Sequence, residues 1–169
     1  PPERPAIRPD TAVLVVPDLV GSSRSAAWAE VARVAVRAAT IGYGLAATLV
    51  GDTLETVLAS LRRPPLGVTD DESSRLGMVL ILRRPGPGGA ARVTAAHYIR
   101  PVARDEHGHV QRLGPAVLAT WDQERDAFEH FAWGITPELA RRVGRRAGDF
   151  ELEVERRAAA LDALVRDGV

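Results

Sequence analysis

Thr11-Ala-Val-Leu-Val-Val-Pro-Asp18 and, further along, Thr48-Leu-Val-Gly-Asp-Thr53 are the stretches that decide the fold. The first is an apolar run too short for a buried helix, with the Val-rich composition of a strand covered on both faces, and it ends in an acid. Gly21-Ser-Ser-Arg-Ser25 then supplies turn and N-cap chemistry for a helix over 26–40, in which Trp28, Val31, Ala35 and Ala38 keep helical spacing. Gly42 and Gly44 mark its exit, and Leu45 to Val50 reads as a second strand. Asp52, with Glu55 three residues later, reads as a capping box opening a helix through Leu61, which Arg62-Arg-Pro-Pro65 stops. This strand, helix, strand, helix order predicts an α/β layer. In open α/β sheets ligands bind outside the C-terminal strand ends, so Asp18 on one strand and Thr48, Asp52 and Thr53 after the other are expected along one edge. An acid at that place is one way nucleotide-hydrolysing sheets hold Mg²⁺ or orient water.

Beyond Pro65 the pattern changes. Thr69-Asp-Asp-Glu72 reads as the start of a short helix, and Met78 to Leu82 as a fully apolar strand. Pro85-Gly-Pro-Gly-Gly89 is a turn, and Arg92 to Val102 returns with rough alternation, so the two strands predict an antiparallel hairpin. Short strands are expected over 110–113, 117–121 and 127–131. From Thr136 the chain turns helical, with Pro137 at the first helical position, a break over 144–148, and Asp149 capping a helix to about Arg166. The expected organisation is a linker over 1–8, an α/β core over 9–84, a β-rich extension over 85–135 and a helical tail over 136–169.

Composition narrows the chemistry. The 169 residues suffice for a core without staples. With no Cys, thiolate nucleophiles, Cys-ligated metals and disulfides are excluded. The formal charge of zero favours neither nucleic acid nor an acidic membrane, so no nucleic acid partner is expected. No apolar run approaches the roughly 20 residues of a membrane span and no signal peptide is visible, which places the expected location in the cytoplasm. All 22 basic residues other than His are Arg, so a Gly-x-x-x-x-Gly-Lys-Ser/Thr phosphate loop is excluded within the chain. The opening Pro1-Pro-Glu-Arg-Pro5 without an initiator Met fits the C-terminal piece of a longer protein.

Each candidate also has a simpler reading. Asp18 after Pro17 is ordinary turn chemistry, and Asp52 and Thr53 suit a helix cap. Asp105-Glu-His-Gly-His109 offers metal-ligand types, but one His pair separated by a single residue beside a Gly reads first as a polar turn, and no metal site is assigned. The Arg141 to Arg146 cluster adjoins Asp149, Glu151, Glu153 and Glu155, the pattern of a self-paired solvated face. No Gly-x-Ser-x-Gly elbow is present.

Taken together, Pro9-Asp10, Val15-Val16-Pro17-Asp18, Thr40-Ile41-Gly42-Tyr43-Gly44 and Ala47-Thr48-Leu49-Val50-Gly51-Asp52 resemble the second half of the RecA-like motor domain in the type II secretion and type IV pilus ATPase family. The family pattern runs Pro-Asp, a strand ending Gly-Glu, a helix, Thr-Gly-His, and a strand Ala-Thr-Leu-His. The spacing here is close to it, over about a third of the chain. The resemblance implies a partial RecA-like P-loop sheet followed by a β-rich antiparallel segment and a helical tail. It implies an ATP-driven motor using ATP and Mg²⁺ in the intact protein only, with Asp18 as the catalytic acid and Thr48, Asp52 and Gly42 on the nucleotide side. Implied partners are other copies of the chain in a homo-oligomer and a secretion or pilus platform at the inner face of the membrane. Two departures touch the chemistry: Asp18 stands where the family has Glu, and Val50 where it has the His of its His box. These favour, as the alternative, a non-hydrolysing assembly or regulatory subunit of the same fold.

Overall fold

In the computed structural model the described residues are 7–19, 26–84, 86 and 88–168; the expected linker before Ile7 and the turn over 21–25 lie outside them. The chain divides into two compact units, one ending at Phe128 and the other beginning at Glu129. It is a mixed α/β protein with an antiparallel sheet and a long C-terminal helix.

The first unit opens on a parallel pair, β1 (Val13–Val16) and β2 (Gly44–Ala47), linked through helix α1 (Ala26–Thr40). Leu14 pairs with Leu45 and Val16 with Ala47, so the two strands are adjacent and in step, as the apolar runs predict. Ala32, Ala35 and Val36 on α1 enter the same buried cluster as Val16, which puts the helix against one face of the pair. The other face departs from the expected double cover: Val13 is 64% and Val15 75% exposed. A continuous apolar run is permissive for burial on both faces, but only half of this one meets a packing partner.

After β2 the chain enters α2 (Leu54–Arg62), whose N-cap is Thr53 and not Asp52: Thr53 Oγ1 accepts the Thr56 N–H at 3.1 Å. Leu54, Val57 and Leu61 face inward at helical spacing. The short helix α3 (Asp70–Ser73) is closed by the complete reciprocal capping box of Thr69 and Glu72.

Strands β3 (Met78–Arg83) and β4 (Arg92–Tyr98) form the expected antiparallel hairpin, with Ile81 opposite Ala95. Pro85 and Pro87 of the expected turn lie outside the described residues; Gly89 N–H closes it on Gly86 C=O at 3.2 Å. A bulge between Ile81 and Leu82 shifts the register. Strand β3 alternates, with Ile81 buried and Met78, Leu80 and Leu82 exposed, so this run too is covered on one face only. A two-residue pair, β5 (Ala103–Arg104) with β6 (Val110–Gln111), carries the loop containing His107 and His109. β7 (Ala116–Asp122) pairs antiparallel with β4, and β8 (Ala127–His130) completes the order β3-β4-β7-β8. One core joins the two halves of this unit: Val16, Val36 and Leu61 share a cluster with Ile81, and Ala95 packs against it.

The second unit carries α4 (Thr136–Arg142) and α5 (Ala147–Asp167). Helix α4 begins one residue before Pro137, and α5 two residues before Asp149, which therefore lies in the first turn instead of capping it. Arg146 precedes α5 without a side-chain cap, and Gly168, in the left-handed region at φ 73°, ends it. Glu153 pairs with Arg156 and Arg157 on its own helix, and their guanidinium groups lower its pKa.

Candidate functional site

The parallel ladder continues past the strands. Thr48 N–H donates to Val16 C=O at 3.2 Å, and Leu19 N–H returns to Thr48 C=O at 2.7 Å. Between these bonds lies Asp18, half-buried, with φ 55°. Its N–H donates to Thr48 Oγ1 at 2.9 Å, and its C=O accepts from Trp28 Nε1 at 3.3 Å. Asp18 and Thr48 are thus joined at the C-terminal ends of two adjacent parallel strands, the edge at which open α/β sheets place ligands.

The other two candidates stand elsewhere. The Asp52 side chain accepts from Thr56 Oγ1 at 3.2 Å, and its C=O accepts from Arg83 Nη2 at 2.8 Å. Asp52 lines a cavity of about 550 Å³ with Thr53, Arg83, His97 and Trp121, a cavity that neither Asp18 nor Thr48 lines. Gly42 falls outside the strand-end group. It precedes β2, at the opposite end of the parallel pair, with φ 104° and with its Cβ direction facing Pro9 Cβ at 3.6 Å. Its role there is conformational: it turns the chain from α1 into β2, in a backbone region that favours glycine. The resemblance places Gly42 on the nucleotide side, whereas here it stands at the other end of the parallel pair from Asp18 and Thr48.

Two residues at these places escaped the sequence reading. Trp28 keeps helical spacing on α1 and so reads as core; its indole N–H on Asp18 is visible only in three dimensions. Arg83 closes β3 beside Arg84, and nothing in that pair says which partner it meets; its guanidinium reaches the Asp52 C=O. Conversely, His107 and His109 do what their polar turn suggests: Asp105 Oδ1 accepts from both backbone N–H groups, at 2.9 and 2.8 Å, and Oδ2 lies 3.1 Å from His109 Nδ1. Among the described residues no group of three or more His, Asp or Glu side chains could hold a metal by itself.

A magnesium nucleotide makes a milder demand on protein ligands, because Mg²⁺ keeps waters and phosphate oxygens and takes one or two carboxylates. Asp18 supplies one carboxylate at the strand ends. Thr48 Oγ1 accepts from Asp18 N–H, and as a hydroxyl it still carries a proton to donate. A carboxylate and a hydroxyl are the ligand types that the metal side of such a ligand calls for. The Lys of a phosphate loop has no counterpart in the chain.

No protein-family model matches the chain, and a search of curated proteins finds no match. No helix of the described residues is long and apolar enough to cross a membrane.

Proposed function

We propose that the chain is the C-terminal part of a RecA-like, ATP-driven motor of the type II secretion and type IV pilus kind, unable to turn over nucleotide without an upstream phosphate loop. The observation that carries this reading is the union of Asp18 and Thr48 at the C-terminal ends of adjacent parallel strands, at the spacing of the family's acid and its Ala-Thr-Leu-His strand. In the intact protein Asp18 would orient water or hold Mg²⁺ through it, and the Thr48 hydroxyl would meet a phosphate oxygen. The motor works as a homo-oligomer against a secretion or pilus platform at the inner membrane face.

A second reading is a non-hydrolysing assembly or regulatory subunit of the same fold. Val50 favours it: an isopropyl group, 86% exposed, stands where the family carries an imidazole and can neither donate nor accept a proton. Steady-state phosphate release from the intact protein separates the two. In the motor, Asp18→Asn keeps volume, removes charge and lowers turnover by about two orders of magnitude or more. In the subunit, wild-type release is negligible and the substitution changes nothing. Robust release indifferent to Asp18→Asn would contradict both.

A further inference from the structure

Asp18 is held by its backbone from three directions. A φ of 55° puts it in the left-handed region, which a non-glycine residue enters at a cost, and Asp is among the few that tolerate it. A turn that merely reversed the chain would be served by that tolerance alone. Here Thr48 Oγ1 accepts from Asp18 N–H, Trp28 Nε1 donates to Asp18 C=O, and Thr48 C=O accepts from the next N–H, that of Leu19, whose own side chain is buried in the core. Thr48 is contributed by the neighbouring strand and Trp28 by helix α1, so three separate segments meet on one residue.

We infer that Trp28 and Thr48 are positioning residues for Asp18: the indole N–H and the hydroxyl fix the peptide units on either side of the acid and so set the direction of its Cα–Cβ bond. The inference rests on the reading of Asp18 as the acid that orients water or Mg²⁺. Fixing the backbone matters because a displacement of about 1 Å at a reacting group can cost two orders of magnitude in rate, and a group held to that tolerance needs supporting bonds around it. The bonds from Thr48 and Trp28 supply that support at the backbone.

Two substitutions test this. Trp28→Phe keeps an aromatic ring and removes the N–H; Thr48→Val keeps the shape and removes the hydroxyl. In the 169-residue chain, Thr48→Val is expected to speed hydrogen exchange at the Asp18 amide about tenfold or more. Trp28→Phe is expected to shift the Asp18 carbonyl ¹³C resonance, and both variants should keep the wild-type circular dichroism. In the intact protein Trp28→Phe, which removes no group placed on the nucleotide, should lower kcat for phosphate release about tenfold while KM for ATP stays within about twofold, the mark of an interaction that aims a group without binding substrate. Unchanged exchange and an unchanged carbonyl resonance would overturn the inference. Altered backbone signals with undiminished kcat, in an enzyme silenced by Asp18→Asn, would overturn it equally. An intact protein that releases no phosphate with or without the Asp18 carboxylate defeats the motor reading instead, and the backbone signals then decide the positioning claim alone.

Discussion

Glu72 and Thr69 satisfy each other at the start of α3: the Glu72 carboxylate accepts the Thr69 N–H at 2.8 Å, and Thr69 Oγ1 accepts the Glu72 N–H at 3.2 Å. The backbone bond from Thr69 does most to hold the pKa of Glu72 below the ordinary glutamate range, with the Thr69 hydroxyl and the Arg37 guanidinium adding to it against a desolvation that raises it. A carboxylate whose pKa is lower in the folded chain stabilises it above the unfolded pKa, and the contribution is lost as pH falls through the folded value. Urea unfolding of the wild type and Glu72→Gln should therefore differ most at neutral pH, with the gap closing below about pH 4.5. A gap that widened on acidification would contradict this account of α3.

The cap of α2 gives a second prediction. Thr53→Ala removes the acceptor for the Thr56 N–H and is expected to cost about 1 kcal/mol, whereas Asp52→Ala loses one exposed bond to the Thr56 hydroxyl and should cost about 0.5 kcal/mol or less. Paired denaturant midpoints would rank them; the reverse order would return the cap to Asp52.

The bare face of β1 and the shared core should respond very differently to substitution. Val13→Thr and Val15→Thr on the bare face should change the stability of the 169-residue chain by about 0.5 kcal/mol or less. Leu61→Ala, deep in the shared core, should cost about 2–5 kcal/mol. A large loss from either Val→Thr change would mean that something covers that face in solution.

Calorimetric titration with ATP and Mg²⁺ should show no submicromolar binding by residues 1–169, since the amides and Lys of a phosphate loop normally supply the main anion contacts. Tight binding would move the anion site to residues not named above.

How much of this was legible in the sequence follows from what each pattern encodes. Period 3.6 along Trp28, Val31 and Ala35 marks a helix whatever it packs against, so α1 is found with its bounds. The Val-rich run of β1 marks a strand but carries no record of whether a second layer exists to cover Val13 and Val15. Asp52 and Thr53 are both good caps one position apart, and only the path of the backbone selects Thr53. The sequence could suggest that Asp18 and Thr48 lie on one edge, because strand order and strand ends are local facts. It could not place Trp28 against Asp18, because an indole in an apolar stripe looks the same whether or not its N–H finds a partner.

The shared core also sets an order of events. Val16 and Val36 bury themselves in a cluster that is incomplete without Ile81, and Ala95 packs on its margin. Two strands alone are at best marginally stable in water and draw their stability from the elements packed on them. Val16 and Ile81, which share that cluster, lie some sixty residues apart in sequence, and closing so long a loop before its contacts can repay the entropy slows folding. During synthesis the β1-α1-β2 segment emerges before β3 and β4. Until those strands follow, the apolar surface around Val16, Val36 and Leu61 lacks Ile81 and is open to wrong partners.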